Sequence, residues 1–116
     1  MKKDNVIQQK SYDFALSIIE LYKKLIIEKE YIISKQLLKS GTSIGANIEE
    51  ASAAQSKKDF ISKMSIASKE ARETKYWLKL LNESQLVKIN LTDYLTKIDE
   101  IISILTSIIK TLQEKQ

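Results

Sequence analysis

The feature that most constrains this chain is what it lacks: in 116 residues there is no proline, and there are only two glycines, Gly41 and Gly45. Strand connections depend on those residues for fixed or positive φ, so a sandwich or barrel needs many more of them. Long helices need none. Ile, Leu, Lys, Glu and Ser dominate the remainder, a composition that suits helices. A domain of this length buries roughly two-thirds of the surface its unfolded chain exposes. With no internal repeat, low-complexity segment or linker, residues 1–116 read as a single domain.

Apolar residues recur at helical spacing in four stretches. The first runs over about residues 5–28, with Ile7, Phe14, Ile18, Leu21 and Leu25 on one stripe and Ile19, Tyr22 and Ile26 widening it. Glu28-Lys29-Glu30 supplies a polar turn. The second covers about 31–54, with Ile33, Leu37, Ile44, Ile48 and Ala51 on one side. Ser56 and Asp59 form a capping box that opens the third, 57–82, where Phe60, Met64, Ala67, Ala71, Thr74, Leu78 and Leu81 keep a seven-residue repeat. The fourth, 91–114, carries Leu91, Leu95, Ile98, Ile102, Leu105, Ile109 and Leu112, with Ile101 and Ile108 alongside, and Asn90 and Asp93 mark its start. Four amphipathic helices joined by short turns must bury their stripes against one another. An all-α, antiparallel up-down-up-down four-helix bundle is the economical arrangement.

Several chemistries are excluded or disfavoured by residue type. The chain has no cysteine, so disulfides and thiolate metal sites are impossible. It has no histidine, which removes the commonest general base and metal ligand, and it shows no nucleophile–base motif. No enzyme, cofactor, metal or small-molecule substrate is therefore expected. Bundle di-iron sites also use a Glu-x-x-His pair, which this chain lacks, so an all-carboxylate metal site on Glu50, Glu70 and Glu73 is the residual exception. Gly41-Thr42-Ser43-Ile44-Gly45 is no P-loop: three residues separate its glycines, and Ala46-Asn47 follows. No apolar run reaches membrane-span length, and Met-Lys-Lys-Asp-Asn-Val leads into an amphipathic pattern rather than a signal peptide, so the expected location is the cytoplasm.

Charge is unevenly distributed. The formal net charge is +4, and residues 57–82 hold seven basic and three acidic residues, which accounts for all of it. On a helical wheel Lys58, Lys69, Arg72, Tyr76 and Lys79 lie opposite the core stripe. Together with Lys75 they suit a phosphate backbone, with Tyr76 free to stack on a base; the alternative is an ordinary solvated face. A flank between stripe and basic face holds Ile66, Glu70, Glu73, Trp77 and Leu80. Ile66, Trp77 and Leu80 are too apolar for open solvent and suit a subunit boundary. An antiparallel pairing about Gln55 places Glu70 beside the hydroxyls of Ser40 and Thr42, with Gly41 and Gly45 clearing room for a close helix. Asn47, near the core seam, is expected to fix register.

The runs Gln36-Leu37-Leu38-x-Ser40-Gly41-Thr42-Ser43-Ile44-Gly45-Ala46-Asn47-Ile48-x-Glu50-Ala51, Ser56-Lys57-Lys58-Asp59-Phe60-Ile61-x-Lys63-Met64 and Lys69-Glu70-Ala71-x-Glu73-Thr74-x-Tyr76-Trp77-Leu78 resemble the bacterial proteins encoded by intervening sequences in 23S ribosomal RNA genes, also called the S23 ribosomal protein family. The resemblance covers nearly the whole chain; the proline often found between the first two helices is missing. It implies a small four-helix bundle assembled as a homopentamer, and a kinship with accessory proteins of diversity-generating retroelements. Those form basic pentameric barrels that contact nucleic acid and a reverse transcriptase. It brings no settled molecular function. The expectation is thus a non-enzymatic homo-oligomer that binds RNA or DNA electrostatically, or a protein-interaction scaffold with no nucleic-acid role.

Overall fold

Apolar periodicity is realised as four helices in the computed structural model: α1 (Lys2–Ile27), α2 (Ile33–Ser52), α3 (Lys57–Ser84) and α4 (Thr92–Glu114). The structure describes residues 2–115, with side chains from Val6 onward, so Met1 and Gln116 lie outside the described residues. Each helix packs on its sequence neighbours and α4 closes back on α1, giving an up-down-up-down bundle 47 × 21 × 20 Å. α1 and α3 stand on one diagonal. α2 and α4 stand on the other.

The ends of the helices have local causes. α1 stops in a Schellman turn: the Glu30 amide donates to the Leu25 carbonyl at 2.9 Å and the Lys29 amide to that of Ile26 at 2.9 Å. Lys29 takes φ 62° in this turn, a left-handed conformation that usually falls to glycine. Glu30 then turns its buried carboxylate onto the start of α2, accepting from the amides of Ile32 (3.3 Å), Ile33 (2.9 Å) and Ser34 (2.6 Å). That capping moves the start of α2 from residue 31 to 33 and leaves Tyr31 and Ile32 in the connection. α3 opens as its sequence predicts, with the Asp59 amide donating to the Ser56 hydroxyl at 3.0 Å. It runs to residue 84 rather than 82, closed by Gln85 at φ 55°. Asn90 accepts from the Thr92 amide at 3.0 Å ahead of α4.

Burial confirms the stripe on α3, where Met64, Ala67, Ala71, Thr74, Leu78 and Leu81 are buried and Phe60 is half-buried. On α4 the inward face is rotated from the expected one. Ile98, Ile101, Leu105 and Ile108 form its centre, while Leu95, Ile102, Ile109 and Leu112 are half-buried at the edge. On α1 the buried line is Ile7, Ser11, Phe14, Ile18, Leu21 and Leu25, and Ile19 lies outside it, exposed. Both differences have one source. A wide apolar arc fits several rotations of a helix, and its neighbours select one.

Gly41 and Gly45 face α1. A Cβ at Gly41 would lie 2.9 Å from Ile18 Cγ2, and one at Gly45 would lie 3.4 Å from the Ser11 carbonyl oxygen. The small residues therefore bring α1 and α2 together, and the expected meeting of this patch with Glu70 of α3 does not occur. Ser40 points to α3 instead, where its hydroxyl shares a buried hydrogen bond of 2.9 Å with Thr74. With Lys63–Glu50 at 2.9 Å, that pair sets the α2–α3 register about one turn away from a pairing centred on Gln55, opposing Glu70 to Ser43 and Ile44 rather than to Ser40.

Candidate functional site

The basic face of α3 forms because its core stripe is fixed inward by Met64, Ala71 and Leu78, which leaves the opposite arc in solvent. Lys58, Lys69, Arg72, Tyr76 and Lys79 are all exposed on that arc. Lys75 is not part of it. It is half-buried and bridges to Asp99 of α4 at 2.7 Å, so its charge is neutralised within the chain and its phosphate-binding role is withdrawn. Arg72 leans the same way, with Nη2 3.5 Å from the Thr106 hydroxyl. Because Thr106 stands beside Arg72, Lys110, one turn further along α4, joins the basic face from a second helix; it is exposed. Sequence periodicity within one helix carries no signal for that addition. Glu83 bounds the patch one turn beyond Lys79.

The flank of α3 is half-exposed. Ile66 is 39% and Leu80 37% exposed, while Glu70, Glu73 and Trp77 are half-buried. The Trp77 indole donates to the Glu73 carboxylate at 3.1 Å, and the Tyr76 ring meets that of Trp77 edge-on at 5.1 Å. The tyrosine offers one exposed ring, held against its neighbour.

The carboxylates of the residual metal hypothesis are not brought together. Glu50 is bound to Lys63, whose ammonium is held above its ordinary pKa first by that hydrogen bond and then by the carboxylate charge. Among the described residues no group of three carboxylates is placed to hold a metal ion. Asn47 does not reach a partner helix: its amide donates to the Ser43 carbonyl at 2.8 Å, one turn back on α2. The expected register role passes to Ser40 and Thr74, whose spacing marks them as inward-facing while their pairing across two helices is set by packing. No helix is long and apolar enough to cross a membrane.

Fold and surface together define the class: a small all-α bundle carrying a basic helix face beside a half-apolar flank. The family model of the 23S rRNA-intervening sequence protein matches residues 3–107, and the chain belongs to that family. Among solved structures it is similar to a protein of unknown function of the S23 ribosomal protein family from Bacteroides thetaiotaomicron. The two share 51% identity over 93% of this chain and 98% of that one, with a TM-score of 0.89. No curated protein matches.

Proposed function

We propose that the chain is a non-enzymatic, homo-oligomeric helical bundle whose α3 basic face binds the backbone of RNA or DNA. The observation that carries this reading is the placement of Lys58, Lys69, Arg72 and Lys79 on one exposed arc, with no carboxylate paired to them among the described residues. Lys110 extends the arc, and Tyr76 supplies a ring for stacking beside the phosphates. Such contacts are sequence-tolerant and release counterions, so affinity falls steeply with salt. Four engaged phosphates on duplex DNA give a log–log slope of about −3.6. Pentameric assembly in the cytoplasm completes the proposal, following the family resemblance.

Salt-titrated binding to RNA and duplex DNA is the test. Binding at low salt is expected, with its loss in the triple variant Lys69→Glu, Arg72→Glu, Lys79→Glu. Absence of binding at low salt, or an affinity indifferent to the triple change, overturns the nucleic-acid reading.

A scaffold reading has its own support. Ile27, Ile32 and Leu86, 79%, 78% and 57% exposed, gather where the Glu28 carboxylate accepts from the Lys88 amide and joins the two connections at one end of the bundle. Co-purification of a protein partner that survives nuclease and is lost in Ile32→Lys favours that role.

A further inference from the structure

The two poles of the bundle differ. Where α2 meets α3 the connection is Ala53-Ala54-Gln55-Ser56, without a large apolar side chain. At the other pole the α1–α2 and α3–α4 connections lie together, joined by the Glu28 carboxylate and the Lys88 amide at 3.4 Å. Ile27, Tyr31, Ile32 and Leu86 all project there, between 52% and 79% exposed. The core beneath is complete without them, closed by the buried Leu25, Val87 and Leu91.

Shape limits what can cover these side chains. A side chain in a groove is shielded by the opposite wall, and a partner helix needs such a groove. Ile27 and Ile32, the most exposed of the four, have no such wall beside them. Projecting apolar side chains on short connections suit a fluid phase that closes around them, which is what the interface of a bilayer offers.

Charge narrows the choice further. Lys24, Lys29, Lys35 and Lys88 ring the pole, are exposed, and have no carboxylate bound to them among the described residues. The acidic groups at this end are mostly occupied. Glu30 is buried on the amides of α2, and Glu28 accepts from the Lys88 amide. Asp93 is paired with Lys97 and Glu20 with Lys23, which leaves Glu83 as the exposed carboxylate without a partner among the described residues. Four ammonium groups on flexible stems reach the level of lipid phosphates while the apolar side chains enter the layer below.

We infer that this pole rests on an anionic lipid surface, with Ile27, Tyr31, Ile32 and Leu86 in the interfacial layer and Lys24, Lys29, Lys35 and Lys88 on the phosphates. The contact is peripheral, since no helix among the described residues is long and apolar enough to cross a membrane. It stands apart from the nucleic-acid reading: Lys69 and Arg72 lie midway along α3, and Lys58 lies at the opposite pole.

Co-sedimentation with vesicles tests the assignment, one set of phosphatidylcholine alone and one of phosphatidylcholine and phosphatidylglycerol in equal parts. Binding is expected on the anionic set, at least about tenfold tighter than on the neutral one. Ile27→Ser with Ile32→Ser is expected to weaken it by about tenfold or more. Both side chains are already in solvent, so circular dichroism melting of that variant should match the parent. Lys24→Gln, Lys29→Gln and Lys88→Gln together are expected to bring the anionic set down to the neutral level. Lys58→Gln, Lys69→Gln and Arg72→Gln remove the same charge from the α3 arc and are expected to weaken binding less. An affinity equal in the two lysine-poor variants and indifferent to the isoleucine changes reflects net charge alone and overturns the assignment. Absence of binding to either vesicle set overturns it too, and a nuclease-resistant protein partner lost in Ile32→Lys then gives the pole to the scaffold reading.

Discussion

Gly41 and Gly45 occupy the same helix one turn apart, yet their surroundings differ. An added methyl at Gly41 meets the buried Ile18 side chain at 2.9 Å, which must shift within a packed core. Overpacking of that kind costs about 1–3 kcal/mol, against a gain of about 1 kcal/mol in helix propensity. At Gly45 the nearest atom stands at 3.4 Å, an ordinary contact, so the propensity gain is kept. Denaturant unfolding is therefore expected to show Gly41→Ala less stable than the parent and Gly45→Ala equal or more stable by up to about 1 kcal/mol. Equal destabilisation of both would refute the assignment of the close approach to Gly41. Lys29 offers the reverse case. Its left-handed backbone is one that glycine adopts without strain, so Lys29→Gly should raise stability by about 0.5–1 kcal/mol, read as a higher melting temperature.

Between elements, the Ser40–Thr74 hydrogen bond is the buried polar contact joining α2 to α3, beside the more exposed Lys63–Glu50 ion pair. Thr74→Val removes the donor to the buried Ser40 hydroxyl, which keeps only its long bond to the Leu37 carbonyl at 3.5 Å, at a cost of about 1 kcal/mol. Replacing both, as Ser40→Ala with Thr74→Val, is expected to recover part of that loss. A double-mutant cycle on unfolding free energies measures the coupling, and strict additivity would contradict a shared bond. Much of this level was legible beforehand. The α3 core stripe, the Ser56 cap and the exposure of the basic arc follow from spacing and residue type. The cap at Glu30 was not legible, because a carboxylate that receives three amides across a turn looks like any other charged residue in a polar connection.

At the scale of the whole molecule, Tyr12, Leu16 and Ile19 on α1 and Ile66 and Leu80 on α3 leave exposed apolar surface, which the proposed self-association would cover. A folded state coupled to assembly is stabilised by mass action. The melting temperature should accordingly rise with protein concentration across a hundredfold range; a constant value would identify the single chain as the cooperative unit. The basic face lies on the α4 side of α3 and stays in solvent, so the proposed phosphate binding would leave the apolar flank of α3 free. Loss of Lys69, Arg72 and Lys79 is expected to change nucleic-acid affinity without changing oligomer mass.

Spacing and residue type alone fix the number of helices, their order, the inward residues of α3 and the uneven distribution of charge. Those properties belong to single helices, and a helical period can be read one segment at a time. Tertiary packing decided the rest. It chose the rotation of α1 and α4 within their wide apolar arcs and turned the glycine pair toward Ile18 and Ser11. It also withdrew Lys75 into a bridge with Asp99 and added Lys110 to the basic face. A one-turn slip between two helices leaves every heptad pattern intact while exchanging every partner, so register and rotation are fixed only when all four helices pack at once.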